Sequence, residues 1–325
     1  MRATSKIEFV PPPALASLMA EQHGTFSATQ AYEAMLSPDE IQWFRDAGAL
    51  TSIRRGVYVI ANDFQALSPL EQHVVRAAGV SHVLKQPVLS HETAAVCSGL
   101  ELLWPELELL HVTRPELKAS RKEAGIHHHC GQLPDGHQVT GPYGAMTSLA
   151  RTAFDVAAHS TFESGLAVVD SAMRAGVTHQ ELLDVLESCR PWSGSRTASR
   201  AIAAGDGRAA NPGESLSRAV LIGHGVEPTD LQVEIFDERG ELVGRADFGW
   251  LPLKVLGEFD GKAKYGIDGK PGEALWAEKL REDRLRALGY EIVRWTWADL
   301  LNPAAFIARL RAALARAVAR SAWIS

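Results

Sequence analysis

Between Arg245 and Gly266 the chain reads RADFGWLPLKVLGEFDGKAKYG, and no other stretch narrows the possible folds so far. Two apolar runs, each of strand length, flank a tight connection around Trp250 to Leu253. Asp247, Glu258, Asp260, Lys262 and Lys264 fall in or beside these runs. Strand interiors usually exclude charge, so the five either form a solvated sheet edge or assemble a site. Glu258 and Asp260 are two residues apart, so in an extended strand both leave the same face, with Asp247 diagonally across the hairpin. Converging carboxylates repel one another. A divalent metal such as Mg²⁺ removes that penalty, because hard oxygen ligands suit it. A neighbouring lysine then helps to orient the attacking water and offsets charge developing on a phosphate. The rival reading is a polar strand edge with ordinary surface ion pairs.

The surrounding pattern supplies a scaffold for these residues. From Asn211 the order is helix, three strands, helix, strand, helix, which predicts a short mixed sheet flanked by helices. Glu214 falls in the first turn of the leading helix, and a hairpin turn is expected at Asp237 to Gly240. Trp250 and Trp295 are candidates for base stacking or for core packing. On the last helix Arg309, Arg316 and Arg320 share a face, to hold phosphates or simply to be solvated.

Residues 12–62 read as three short helices and a hairpin, with Ser27 and Ser37 as helix caps. That is the order of a winged helix-turn-helix. Arg54 and Arg55 at the wing tip would meet a phosphate backbone, and Gln42 and Arg45 on the third helix would reach bases or phosphates. Asp39, Glu40 and Asp46 on that helix argue instead for protein contacts.

The middle segment mixes strands such as ELLHVTRP and AGIHHHC with amphipathic helices. His127, His128 and His129 invite a metal reading, but nothing adjacent in sequence completes a ligand set, so a half-exposed strand is expected. Arg151 and Asp155 are spaced to pair along a helix.

A length of 325 residues implies more than one domain, and boundaries are expected to give 1–65, 66–205 and 206–325. The net charge of −6 argues against a surface basic throughout while leaving room for local basic patches. Cys97, Cys130 and Cys189 are odd in number and lack metal-ligand spacing, which suits reduced thiols. No apolar window approaches the roughly 18 residues of a membrane span, and the N-terminus lacks the apolar core of a secretion signal. A cytoplasmic protein without membrane contact is expected.

Two resemblances follow from these residues. Gly244 to Phe248, Glu258 to Gly261, Glu278 to Arg281 and Arg294 to Thr296 resemble the PD-(D/E)xK nuclease superfamily, in the branch similar to very-short-patch-repair endonucleases. The resemblance implies a restriction-endonuclease-like α/β core that cleaves DNA with Mg²⁺ or Mn²⁺. Its metal-binding aspartate falls on Asp247, its second acid on Glu258 or Asp260, and its first-helix glutamate on Glu214. Its lysine falls on Lys262, with Lys264 and Lys279 as alternatives. Where the repair endonucleases carry active-site histidines after this strand, Lys264-Tyr265 stands here.

HGTFSATQAYEA, RRGVYVI, LSHETAAVCSGL, HVTRP and MTSLARTAFDVA are similar to the AbiEi-type antitoxin family. This second resemblance implies an N-terminal winged helix, a mixed α/β antitoxin body and a role in a bacterial toxin–antitoxin or phage-defence system. A nucleotidyltransferase-like toxin is the partner it implies. The alternative to a nuclease is a non-catalytic antitoxin or repressor that binds DNA through the winged helix and its toxin through the middle domain.

Overall fold

The structure is a computed structural model that describes residues 7–261 and 271–322. The chain divides into two compact units, Met1–Val156 and Ala157–Ser325. The boundaries expected near residues 65 and 205 each fall inside one of them.

The first unit opens with α1 (Pro13–Glu21), β1 (Phe26–Ser27), α2 (Ala28–Glu33) and α3 (Pro38–Asp46). The hairpin of β2 (Leu50–Arg54) and β3 (Val57–Ile60) follows, and the three strands form a sheet in the order β1-β3-β2. Ser27 and Ser37 start their helices as the sequence indicates. Each hydroxyl accepts the N–H of the third helical residue, while Gln30 or Glu40 accepts the N–H of the cap. Two orphan donors at each helix start are thereby satisfied. Phe9, Leu15, Met19, Phe26, Ile41 and Leu50 close a small core beneath these helices.

The rest of this unit holds α4 (Ala61–Ala66), α5 (Pro69–Ala78), β4 (Val88–Leu89), α6 (His91–Cys97), β5 (Leu110–Thr113), β6 (Arg121–Glu123), β7 (Ile126–His129), β8 (Gln138–Gly141) and β9 (Gly144–Thr147). These six strands pair in the order β6-β7-β5-β4-β9-β8, and β5 runs parallel to β7. α7 (Leu149–His159) follows, and the division between the units falls within it. The expected Arg151–Asp155 pair is present at 2.8 Å with both side chains buried. The half-exposed histidine strand is not: His128 and His129 are buried, and only His127 is partly open. Alternation sends His128 and His129 to opposite faces of β7, and both are buried, so neither face is open at this end of the strand.

The second unit holds α8 (Phe162–Arg174), α9 (His179–Ser188), α10 (Ser195–Ala204) and α11 (Pro212–Gly223). A sheet follows, made by β10 (Asp230–Phe236), β11 (Leu242–Trp250), β12 (Val255–Asp260) and β13 (Glu291–Thr296) in that order. The helices α12 (Pro271–Ala287), α13 (Trp297–Leu301) and α14 (Ala304–Ala322) complete the unit. The first two strand pairs are antiparallel and β12–β13 is parallel. Parallel neighbours need a long crossover, and α12 lies in that connection. Asp237 makes the expected turn, accepting the Gly240 N–H at 2.9 Å.

Both candidate stacking tryptophans are core residues. Trp295 is buried, donates its indole N–H to Ser217 Oγ at 2.8 Å and packs on Phe248 and Phe306, and Trp250 is buried too. α11 comes so close to this face of the sheet that a Cβ on Gly213 would meet the Phe259 ring at 2.2 Å. A buried ion pair, Arg218 to Asp170 at 2.7 Å, ties α11 to α8. The chain is thus a mixed α/β protein with several sheets.

Candidate functional site

β11 and β12 pair from Trp250–Val255 to Phe248–Gly257, and their recorded ladder stops there. Continued by one step, the register sets Asp247 opposite Glu258. Asp247 turns its carboxylate into the gap, where Oδ2 accepts the Phe259 N–H at 2.8 Å. The side chain thus stands in for a ladder carbonyl and holds the acid at the point where the strands part. On its other side, β10 pairs Leu231 with Phe248 and Val233 with Ala246, passing over Gln232 and Asp247. Gln232 has φ +50°, a left-handed conformation that costs a non-glycine residue about 1 kcal/mol or more.

Gln232 donates to Glu214 Oε2 at 2.8 Å. Glu214 is buried in the first turn of α11 and also accepts from Ala210 N and from the Asn211 amide, both at 2.7 Å. Gln232 therefore ties Glu214 to β10 at the position the register sets beside Asp247, and Asp247 is bonded to the Glu258–Asp260 segment. Sequence reasoning named its acids and missed Gln232, whose backbone strain leaves no mark in residue identity.

Glu258 is engaged differently from expectation. Oε1 accepts from Arg281 and Oε2 from Arg294, each at 2.8 Å. Arg281 and Arg294 both reach Glu278 at 2.6 Å, and Arg294 reaches Glu282 at 2.9 Å. Glu278 and, against the cost of burial, Glu258 hold the Arg281 guanidinium more firmly protonated than usual. Arginine thus relieves the acid repulsion at Glu258, a role the sequence reading gave to a metal. The cue lay in Glu278-Lys279-Leu280-Arg281 and Arg294-Trp295, noticed as motifs and not as partners of Glu258. Asp260 ends β12 opposite Thr296 and is partly exposed. Lys262 and Lys264 lie outside the described residues; Lys279 is exposed on α12, its ammonium 5.7 Å from the Trp276 ring.

The basic candidates of the first unit are distributed. Arg55 is exposed in the β2–β3 turn, whereas Arg54 donates to the Ala124 carbonyl and is partly buried. Gln42 and Arg45 are exposed on α3 but bonded along it, Arg45 to Gln42 at 3.0 Å and Gln42 to Asp46 at 2.8 Å. The arginines of the last helix are matched by acids: Arg309 by Asp299 at 3.1 Å, and Arg316 and Arg320 both by Glu291.

A second cluster lies in the first unit. His91, His111 and His129 bring ring nitrogens within 4.8 Å of one another, the one such group of three metal-binding side chains among the described residues. His111 Nδ1 and His129 Nε2 are 2.9 Å apart, and the His91 and His129 rings stack at 3.6 Å. Sequence reading stopped at the histidine run because its partners come from β5 and from the first residue of α6.

No family model matches the chain. Over 174 residues it is 30% identical to the proteins named Uncharacterized protein MT2308 and Uncharacterized protein Rv2248 of Mycobacterium tuberculosis, a match covering 53% of this chain. The chain spans 62% of the length of these relatives. The solved RV2827C protein from Mycobacterium tuberculosis aligns with a TM-score of 0.39 at 12% identity, over 72% of this chain and 90% of that one. No helix among the described residues is long and apolar enough to cross a membrane.

Proposed function

We propose that the C-terminal unit is a metal-dependent nuclease domain of PD-(D/E)xK type acting on DNA, and that residues 1–65 are a winged helix that binds DNA. The observation that carries this reading is the placement of Asp247 where β11 and β12 part, joined to the Glu258–Asp260 segment through the Phe259 N–H and set by the register beside Gln232, which bonds Glu214. Asp247, Asp260 and Glu214 offer carboxylate oxygens, the donor type that Mg²⁺ and Mn²⁺ take. Glu258 would join them only by exchanging a guanidinium partner. A bound divalent ion would supply charge to a phosphodiester as it is attacked. Asp247 and Asp260 would hold the ion, Glu214 would fix the approach of α11, and Lys262 would orient the water. The setting is a cytoplasmic toxin–antitoxin or phage-defence system, with DNA and a nucleotidyltransferase-like toxin as partners.

One observation favours a second reading, a non-catalytic antitoxin or repressor. Glu258 is clamped by two arginines in the described structure, as a structural acid would be. Incubating plasmid DNA with the protein and Mg²⁺ or Mn²⁺ separates the two. Cleavage by the wild type that falls at least about 100-fold in Asp247→Ala, with the fold retained by circular dichroism, supports the nuclease. Equal cleavage by both proteins removes Asp247 from the site. DNA retarded in a gel but uncut with either metal favours the repressor.

A further inference from the structure

We propose that His91, His111 and His129 form a binding site for a transition-metal ion of the imidazole-preferring class, with Zn²⁺ the fitting occupant. The site is separate from the carboxylate centre and draws on soft-to-borderline nitrogen donors instead of hard oxygens.

Three elements converge on it. His111 on β5 pairs in register with His127 on β7, and His129 lies two residues further along the same face. His91, the first residue of α6, stacks on His129 from above the strands. Three imidazoles are drawn from three elements, two of them buried, and taking such polar rings out of water costs free energy that a shared ligand offsets.

The backbone also favours a built site. His91 adopts φ +49°, a strained conformation for a residue with a side chain, immediately after Ser90. Ser90 does not use its hydroxyl to cap α6. It places that hydroxyl 2.9 Å from His91 Nδ1; in the tautomer that donates Nδ1–H to Ser90, Nε2 is the atom that would bind a metal. The main chain of His111 is fixed as well: its N–H donates to Thr93 Oγ1 at 2.8 Å, and Thr93 is held in turn by His73 at 2.9 Å. Ligand rings oriented by hydroxyl and main-chain partners are the usual second layer of a metal centre.

Three histidines leave one tetrahedral position for a fourth ligand. Glu92 lies beside the cluster, its Oε2 3.5 Å from His111 Nδ1, and water or an added ligand can take the open position. Without the ion, the 2.9 Å contact between His111 and His129 is a hydrogen bond, which the metal replaces.

The test uses the full chain, stripped with chelator and dialysed against Co²⁺ as a visible probe. The expected result is one Co²⁺ per chain with the intense visible bands of a four- or five-coordinate ion, displaced by Zn²⁺. X-ray absorption of this complex is expected to show imidazole scattering. His111→Gln and His129→Gln should weaken binding by about 100-fold or more, while His179→Gln, at an exposed position on α9, leaves it unchanged. No stoichiometric Co²⁺ uptake by the wild type, or a complex whose scattering contains only oxygen ligands, overturns the proposal. Undiminished binding in folded His129→Gln does so too. If either glutamine variant fails to fold, the wild-type spectrum and scattering decide alone.

Discussion

At the scale of single residues, the second unit depends on close approaches that composition does not advertise. Gly213 has no room for a methyl group, because the Phe259 ring would lie 2.2 Å from it. Gly213→Ala is expected to destabilise the unit by about 1–3 kcal/mol in chemical denaturation, since ring and helix must separate. The Asp170–Arg218 pair is sensitive for a different reason. Asp170 is fully buried, and it accepts the Asp206 N–H at 2.8 Å in addition to the guanidinium. Burial pushes its carboxyl above the usual range and Arg218 works against that push. Asp170→Ala leaves a buried arginine uncompensated, and a loss of about 3–5 kcal/mol is expected in the same measurement.

At the scale of elements, local chemistry was the legible part. Ser27 and Ser37 marked helix starts because capping needs only residues three apart, and the structure places both as caps. Ser37→Ala should cost about 1 kcal/mol, read as a lowered denaturation midpoint of the first unit. The strand pair around Asp247 was legible for the same reason, through two-residue alternation and a short connection. Partners drawn from other elements were not legible. Arg281 on α12 and Arg294 on β13 reach Glu258 from 23 and 36 residues away. Nothing local in Glu258-Phe259-Asp260 indicates that guanidinium groups will meet it. The arginine face of α14 was visible as a stripe, but Glu291, which pairs with Arg316 and Arg320, precedes that helix.

At the scale of the whole molecule, the first unit carries a pH dependence set by burial. His73 is completely buried and held below the ordinary histidine value by burial, despite an opposing bond to the Leu107 carbonyl. Burial lowers His82 and His137 in the same way. In each case the folded chain resists a proton that the unfolded chain accepts. Stability is therefore fully present above the unfolded value of about 6.5 and is lost as pH falls toward the folded values. Thermal denaturation between pH 7.5 and pH 5 should show the midpoint falling in the acid half of that range. One proton contributes at most about 1.4 kcal/mol per pH unit. The slope should flatten in His73→Gln, which cannot titrate; an unchanged slope would assign the effect to other groups.

The sequence by itself determined the mixed α/β class, the order of helices and strands in residues 12–62 and from Asn211 onward, the helix caps and the identity of the acids near the β11–β12 junction. Each of these depends on neighbours within a few residues, where periodicity and turn chemistry act directly. Only the tertiary structure decided which charges pair and which histidines meet. It set Glu258 between two arginines, linked Glu214 to Gln232, and gathered His91, His111 and His129 from separate elements. Those outcomes depend on strand register and on how helices lie against sheets, which are fixed by packing across the chain and not by any local run of residues.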